Sequence, residues 1–443
     1  MSVSVAKTSG GVRQAVAVGS LAATTVGLSF VAQVVLVLWL GSGYETDAFF
    51  AAAVVPQVLF DLLVGSLALA LTPLLVAAPA ERRRRDAWTL VWAVGLLFAG
   101  VAGLLAATVS VWSGWLLPGM TRVELQLVEG LMRVSVVGAV FLAMSTVAGA
   151  ALKASERFAA AERATATAAV AGLLVLLTTL PWLGVVAAPL AWVIRMATEL
   201  ALVTVALKGP VRPDLRSPVL PAAARKAWPL IAGSFVFRTD LLFDRLLSSM
   251  APTGGLTLLA LGRQLHHAAA RLIGKALVAT VGPRLTVLWG EARTDEFFAA
   301  YRKRRRLTLA AAAGAFLCVL TAAAVSAWLA PESQFAGALV LLVALGGILL
   351  FEPLAQLGGV THFARGDTAT PARYAAITFV ASVGLRLIGF YWLGLVGVAL
   401  GASAYFVLQA AWLNRSVFTR TGSALYQADP STTAPPPSRR QAA

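Results

Sequence analysis

Twelve apolar stretches, each long enough to cross about 30 Å of hydrocarbon as a helix, follow one another along this chain of 443 residues. Hydrophobic residues make up 59% of the sequence, charged residues only 13%, and the mean hydropathy of +0.80 lies outside the range of soluble globular domains. The sequence therefore predicts an all-α polytopic membrane protein with about twelve transmembrane helices. The stretches cover residues 14–40, 48–77, 88–117, 128–152, 159–180, 183–207, 227–250, 256–289, 307–329, 335–358, 374–390 and 393–414.

Most basic residues lie in alternate loops, and this pattern predicts an orientation. Loops rich in Lys and Arg remain in the cytoplasm, so these loops and both termini are predicted to be cytoplasmic, in a multi-pass protein of the cytoplasmic (inner) membrane. The net charge of +16 then reflects orientation, and no nucleic-acid partner is expected. The runs Arg82–Arg85 and Arg302–Arg306 either serve this orientation alone or also contact anionic membrane lipids. The basic loops are residues 82–85, 153–163, 208–226, 293–306 and 365–373.

A proline-rich connector divides the apolar stretches into two sets of six. The predicted N-terminal lobe is residues 1–208, the cytoplasmic linker 209–226, the C-terminal lobe 227–415 and a disordered cytoplasmic tail 416–443. Two six-helix lobes around a central cavity are the architecture that an alternating-access transporter requires.

The stretch 256–289 carries cations at a depth where lipid cannot solvate them. Arg263, His267, Arg271 and Lys275 are spaced i, i+4, so they form one stripe on a helix. Each permanent cation near the middle of the bilayer costs about 3 kcal/mol on insertion scales. The stripe must therefore meet carboxylates on neighbouring helices or line a wet cavity that receives an anion. Further candidates for anion binding are Arg238, Arg245 and Arg284.

Intramembrane carboxylates are fewer than the intramembrane cations, and they are candidates for ion coupling. Asp240 and Asp244, spaced i, i+4, either pair with arginines of the same region or bind a proton or sodium ion during transport. Asp61 and Glu352 each stand alone in an apolar stretch and are candidates for the same role.

Catalytic and cofactor motifs are missing from the sequence. The chain has three histidines without metal-ligand spacing, one cysteine, and no Gly-x-x-x-x-Gly-Lys loop. We therefore expect no enzyme activity, no metal and no cofactor, and we expect transport to draw on H+ or Na+ coupling, the membrane potential or the gradient of the substrate.

Two motifs stand out in the sequence. The first is Gly-Ser-Gly-Tyr-Glu-Thr-Asp-Ala-Phe-Phe at 41–50, and the second is Phe-Ala-Arg-Gly-Asp-Thr-Ala-Thr-Pro at 363–371. Both resemble motifs of the MurJ-type (MviN) lipid II flippases, with Asp47, Arg365 and Asp367 at the family's positions. Arg263 falls where the family carries a cavity arginine. The resemblance implies the fold of the multidrug/oligosaccharidyl-lipid/polysaccharide (MOP) exporters and a cationic central cavity for a polyprenyl pyrophosphate-linked sugar.

The chain departs from that family in its N-terminal lobe. The family's cavity arginines of the first two helices are absent, since residues 26–40 are apolar except Gln33, and Phe60 and Asp61 occupy the second-helix positions. The usual helix count of the family is fourteen, against twelve here. The predicted substrate is therefore a polyprenyl pyrophosphate-linked glycan, either a peptidoglycan precursor or a polysaccharide repeat unit.

Two other functions are compatible with the sequence. A cation-coupled multidrug exporter would share the fold but would need an acidic cavity. A non-transporting scaffold for envelope assembly would instead depend on the basic loops and tail. For the flippase, a glycan polymerase or glycosyltransferases are the expected partners, and the chain is expected to be a monomer.

Overall fold

The computed structural model describes residues 6–59, 65–214, 216–238, 240–329 and 338–419, and within them every regular element is helical. Two short irregular turns, a 3-10 turn at Gly184–Val186 and a π-helical turn at Gly274–Val278, connect longer helices. The helices are α1 (Ala6–Leu40), α2 (Tyr44–Leu59), α3 (Gly65–Ala77), α4 (Ala80–Leu116), α5 (Arg122–Ala154), α6 (Phe158–Leu183), α7 (Ala187–Ala206), α8 (Val219–Arg238), α9 (Asp240–Ser249), α10 (Gly255–Ile273), α11 (Gly282–Gly290), α12 (Thr294–Leu329), α13 (Ala338–Ala344), α14 (Gly346–Ala364), α15 (Ala369–Leu393) and α16 (Leu395–Thr419).

The all-α membrane class predicted from the sequence is confirmed. Nine helical segments of the described residues are long and apolar enough to cross a membrane. Three of these segments contain two helices each: Phe158–Ala206 contains α6 and α7, Gly255–Gly290 contains α10 and α11, and Ala338–Ala364 contains α13 and α14. Helices are required in this setting because the bilayer offers no partner for an unpaired backbone N–H or C=O group. The count of twelve transmembrane helices stays a prediction.

The first half of the chain packs around α5, which contacts α2, α3, α4 and α7. One core cluster joins Leu71 and Leu75 of α3 to Trp88 of α4 and Leu152 of α5. The same cluster includes Val219, Ala223 and Ala227, so the start of α8 packs on the first half of the chain.

The second half packs around α14 and α16, and α10, α12 and α15 lie against this pair. Leu345 and Ile348 meet Val398, Ala399 and the neighbouring helices in a buried cluster. Glycines permit a close contact between α15 and α16. Gly389 and Gly397 have no side chains, and a Cβ atom on Gly389 would collide with the backbone of Gly397.

Exposed tryptophans mark one end of the bundle. Trp115, Trp182, Trp328 and Trp392 lie at the last or second-last residue of α4, α6, α12 and α15, and they are 86%, 86%, 80% and 76% exposed. Tryptophan is enriched at the boundary between hydrocarbon and headgroups. All four helices end on the side predicted to be outside, so these residues are expected to lie at the outer membrane surface.

Both boundaries of the C-terminal lobe differ from the expected helix limits. Helix α8 begins at Val219, within the stretch expected to be linker, because Pro218 precedes it and Pro221 lies in its first turn, where a missing N–H is tolerated. Helix α16 continues to Thr419, so residues 416–419 are helical, and the remainder of the predicted tail lies outside the described residues. The division into two lobes stays a prediction.

Candidate functional site

A cavity of about 660 Å³ lies in the second half of the bundle, between α10, α14, α15 and α16. Its walls include the N-terminal end of α15, which is predicted to face the cytoplasm, and the middle of the apolar stretch 256–289, where α10 ends. Polar and ionisable side chains alternate with apolar ones around it: Arg271, Lys275, Glu352, Gln356, Thr368, Tyr405 and Gln409, with Val278, Val360, Phe363, Phe406 and Leu413 among the apolar residues.

Arg271 and Lys275 are the two cations of the predicted stripe that line this cavity. Arg271 donates from Nε to the His267 carbonyl at 3.2 Å. Among the described residues, neither side chain has a carboxylate within salt-bridge distance. Both cations are therefore available to a ligand that enters the cavity.

A helix irregularity presents Lys275 to the cavity. The α-helical pattern of α10 ends at Ile273, and Lys275 lies in the π-helical turn that follows. At Gly274 a Cβ atom would collide with the Gln356 side chain, so glycine lets α14 approach this turn. π-Helical turns of this kind occur frequently at functional sites.

Arg263, the first cation of the stripe, is neutralised within the protein. Its guanidinium bonds Asp240 and Asp244 of α9, and Arg386 of α15 bonds the same two carboxylates. Asp240 and Asp244 share one face of α9 because they are spaced i, i+4. Arg386 reaches them from α15. This helix can pack closely on α16 because Gly401 has no side chain, and a Cβ atom there would collide with Arg386. Two carboxylates and two guanidinium groups thus form a balanced buried cluster.

For Arg263, Asp240 and Asp244 the sequence left two possibilities, pairing with opposite charges or binding a ligand or ion, and this cluster shows which of them holds in this conformation. Arg263, Asp240 and Asp244 are paired with opposite charges, and Arg271 and Lys275 line the cavity, where anion binding stays a prediction. Arg386 was not among the predicted site residues, since it lies on a helix that is distant in the sequence. In this conformation Asp240 and Asp244 are occupied by guanidinium groups.

Glu352 is a cavity carboxylate with a histidine partner. Its Oε2 lies 2.7 Å from Nδ1 of His267, and its Oε1 accepts a hydrogen bond from Nε2 of Gln356 at 3.2 Å. The side chains of His267 and Glu352 are 22% and 13% exposed, so the pair is sheltered but reaches the cavity. Sequence reasoning proposed Glu352 and placed His267 in the stripe, but it did not predict that they meet.

The other predicted anion-binding and coupling residues lie elsewhere. Arg245 is buried and interacts electrostatically with Asp47, and Arg284 is exposed on α11; neither lines the cavity. The side chain of Arg238 and all of Asp61 lie outside the described residues. Within the described residues no cluster of His, Cys, Asp or Glu has the arrangement of a metal site.

Asp47, from the first family-like motif, joins the two halves of the chain at the end predicted to be outside. Its carboxylate accepts hydrogen bonds from the backbone N–H groups of Gly254 at 2.6 Å and Thr257 at 2.8 Å, and from the Thr257 hydroxyl at 2.5 Å. The two N–H donors belong to the first turn of α10, where backbone N–H groups have no partner within the helix and a negative charge is favoured. Gly254 has φ +87°, a conformation that suits glycine, and it packs against the Ser42 backbone.

Replacing Asp47 by Ala is expected to loosen this contact between the halves. Loss of three hydrogen bonds to a charged acceptor removes at least about 2 kcal/mol, which is roughly a thirtyfold shift toward conformations with separated outer ends. Spin labels at Val123 and Met250, in a Cys318→Ala background, would report longer distances in the variant by pulsed electron resonance. The control is Glu45→Gln in the same helical turn, where the described contact is with Tyr44. An unchanged distance distribution in Asp47→Ala would show that the contact does not hold the halves together.

Arg365 and Asp367, from the second family-like motif, organise the inner end of α14 and α15. The Arg365 guanidinium lies over the Trp289, Phe297 and Phe298 rings at 4.8–5.3 Å and donates to the Val417 carbonyl at 2.8 Å. Burial lowers the pKa of Arg365. Asp367 accepts from the Thr370 N–H at 3.0 Å in the first turn of α15. Both residues therefore hold helix ends together, and neither lines the cavity.

Comparisons with known proteins place this geometry in a family. A curated relative named as a probable lipid II flippase MurJ, from Vibrio cholerae, is 26% identical over 196 residues, which are 43% of this chain and 37% of that protein. Among solved structures, lipid II flippase MurJ in an inward closed conformation matches with a TM-score of 0.76 and 15% identity, covering 90% of this chain and 86% of the other. An inward-facing MATE-family multidrug resistance transporter of the MOP superfamily matches with a TM-score of 0.74 and 16% identity, covering 89% and 94%. These structures share the fold predicted from the sequence. The family model described as lipid II flippase MurJ matches residues 36–424, and the chain therefore belongs to the MurJ lipid II flippase family.

Proposed function

We propose that this protein moves a polyprenyl pyrophosphate-linked glycan across the cytoplasmic membrane by alternating access. The observation that carries the proposal is the pair Arg271 and Lys275, two intramembrane cations that line one cavity and have no carboxylate partner among the described residues. A permanent cation in this position is costly, and an anionic group of the substrate would offset that cost.

The chemistry of the cavity suits the head of such a lipid. A guanidinium group binds phosphate oxygens through paired N–H donors, and an ammonium group adds a compact positive charge. Gln356, Gln409 and Thr368 offer donors and acceptors for sugar hydroxyls. Its volume of about 660 Å³ falls in the range of small-ligand sites, so it would hold the pyrophosphate and the first sugar while the polyprenyl chain remains in the lipid.

The conformation suits loading of the substrate from the cytoplasm. The halves meet at the end predicted to be outside, where Ala48 and Ala51 of α2 share a buried cluster with Leu256 and Ala260 of α10 and Asp47 binds the start of α10. The cavity lies toward the opposite end. Release would require this outer contact to open. Asp47 is the residue that we expect to hold it closed until then.

The multidrug exporter is less well supported than the flippase. A cation-coupled pump for cationic drugs would need free carboxylates in its cavity. Asp240 and Asp244 are instead bonded to Arg263 and Arg386, and the cavity presents two free cations and one carboxylate. A scaffold would make no use of the cavity. Substitutions at Arg271 and Lys275 should therefore leave a scaffold function intact but should abolish transport.

Depletion of the protein in its native host tests the proposal. We expect a polyprenyl pyrophosphate-linked glycan to accumulate on the inner leaflet, and mass spectrometry of the extracted lipids would also identify the sugar. Restoration by the wild-type protein but not by a cavity variant would link the accumulation to transport. Depletion that changes drug susceptibility with no change in lipid-linked intermediates would contradict the proposal.

A further inference from the structure

We propose that Glu352, held by His267, is the proton-binding group of the cavity and takes up one proton when the anionic head of the transported lipid binds to Arg271 and Lys275. This inference rests on the proposed function, because it requires an anion at those two cations. It names the coupling ion as a proton and places it at a residue pair separate from the α9 aspartates.

The hydrogen bonds around His267 define where a proton can be added. Nε of Arg263, which can only donate, lies 3.3 Å from Nε2 of His267. Nε2 must therefore accept, so the imidazole is neutral and its proton is on Nδ1, which donates to Glu352 at 2.7 Å. A second proton on the ring would place a positive imidazolium against a guanidinium. The carboxylate of Glu352 is therefore the acceptor for an additional proton.

The charges that face this pair set the sign of the coupling. Ionised Glu352 shares the cavity with Arg271 and Lys275, so it attracts the same cations that an incoming phosphate would use. Protonation removes this competition and also removes repulsion between the carboxylate and the anion. Proton binding and anion binding therefore favour each other. The charged and titratable groups around the pair are Arg263, His266 and Arg271 from α10, Lys275 from the π-helical turn and Tyr405 from α16. Asp240 and Arg386 belong to the same electrostatic environment, because both interact with Arg263 and Tyr405. The start of α15 contributes only Pro371, Ala372 and Ala375 to the cavity, and Thr368 precedes that helix.

The other acidic candidates of this half are already neutralised. Asp240 and Asp244 each contact both Arg263 and Arg386, so a proton or sodium ion would have to displace a guanidinium group to bind there. The two hydrogen-bond partners of Glu352 in this conformation, His267 and Gln356, are uncharged. Its proton state can therefore change without disrupting a salt bridge.

The proposed step is a simple proton transfer. An O–H bond forms on Glu352 with a proton taken from water on the cytoplasmic side as the anion binds. The same bond breaks when the anion leaves and the proton returns to water. No electron transfer and no other covalent change is involved.

Calorimetry of the purified full-length protein with inorganic pyrophosphate tests the inference. Titrations in buffers of different ionisation enthalpy give the number of protons taken up on binding, and we expect up to one proton more in the wild type than in Glu352→Gln at the same pH. The protonation of pyrophosphate itself is common to both proteins and cancels in this difference. Because one proton is linked, wild-type affinity should fall as pH rises, by at most about tenfold per pH unit attributable to Glu352.

Glu352→Gln gives a second result that a purely structural role would not produce. Since glutamine cannot become negative, the variant should bind pyrophosphate more tightly than the wild type at high pH. Glu199→Gln is the matched control, because Glu199 lies on α7 in the other half, where it accepts a hydrogen bond from Thr165. This variant should retain wild-type affinity and proton uptake.

Three outcomes are distinguishable. Proton uptake that is lost in Glu352→Gln, together with tighter binding at high pH, supports the inference. Pyrophosphate binding with the same proton uptake in both proteins overturns the inference and leaves the anion site intact. Failure of the wild type to bind pyrophosphate overturns both the coupling and the anion site of the proposed function.

Discussion

Arg271→Ala is expected to abolish transport while the protein remains folded, and Arg271→Ala with Lys275→Ala should remove anion binding as well. Each cation offers charge-assisted hydrogen bonds worth about 1.5–3 kcal/mol, so the loss of both should weaken pyrophosphate binding at least about a hundredfold. Folding should be unaffected because neither side chain is part of a salt bridge among the described residues. Complementation of the depleted host and calorimetry with pyrophosphate measure the two effects.

Arg284→Ala is the matched control for this experiment. Arg284 has the same charge and lies on the next helix of the same apolar stretch, but it is exposed and does not line the cavity. We expect this variant to support growth and to bind pyrophosphate normally. Normal transport by the Arg271 and Lys275 double variant would show that the cavity does not hold the anion.

Arg386→Met should cause a large loss of stability. Its side chain is only 1% exposed and bonds both Asp240 and Asp244, so the substitution leaves two buried carboxylates with one cation. Breaking a buried ion network in this way costs about 3–5 kcal/mol. Thermal unfolding of the purified protein would show a lower midpoint, and the variant with Asp244→Asn added should recover much of the loss because charge balance returns.

Arg133→Met is the control for the loss of a paired arginine. Arg133 pairs with Glu129 at 3.4 Å but is 49% exposed, so its removal should cost less than about 1 kcal/mol. A destabilisation by Arg386→Met no larger than that of Arg133→Met would mean that the four-residue cluster contributes little. If sodium ions restored the stability of Arg386→Met, this would show that a sodium ion can replace the guanidinium group between Asp240 and Asp244.

The fold was predictable because the strongest constraint on this chain is local. A bilayer requires each apolar stretch to satisfy its own backbone, so length and hydropathy predict helices directly. The limits of α8 and α16 were less predictable. A proline in the first turn is compatible with a helix, and the apolar contacts of Val219 with α3 and α4 come from residues far away in the sequence.

The candidate site was predictable only in part because charge pairing depends on distant residues. The i, i+4 spacing indicated that Arg263, Arg271 and Lys275 share a face of one helix, but spacing cannot show which of them meets a carboxylate. Arg263 is neutralised because α9 lies beside α10, and Arg386 completes the cluster from α15. The contact of Glu352 with His267 likewise joins helices that are distant in the sequence.

The family-like motifs illustrate the same limit. Sequence comparison indicated Asp47, Arg365 and Asp367 but not their roles. The structure places Asp47 at the start of α10, and it places Arg365 and Asp367 at helix ends, close in sequence to the cavity-lining Phe363 and Thr368 but outside the lining itself. These residues hold helices together, whereas the cations that line the cavity lie outside both motifs.

Reconstitution into liposomes tests the central claim most directly. The purified protein would be incorporated with a fluorescent polyprenyl pyrophosphate-linked saccharide, and the movement of the label between leaflets would be followed by a quencher that cannot cross the membrane. We predict movement well above that of protein-free liposomes, and none above that level with the Arg271→Ala and Lys275→Ala double variant. Equal rates for the wild type, the double variant and protein-free liposomes would contradict the claim that these two cations carry an anionic lipid across the membrane.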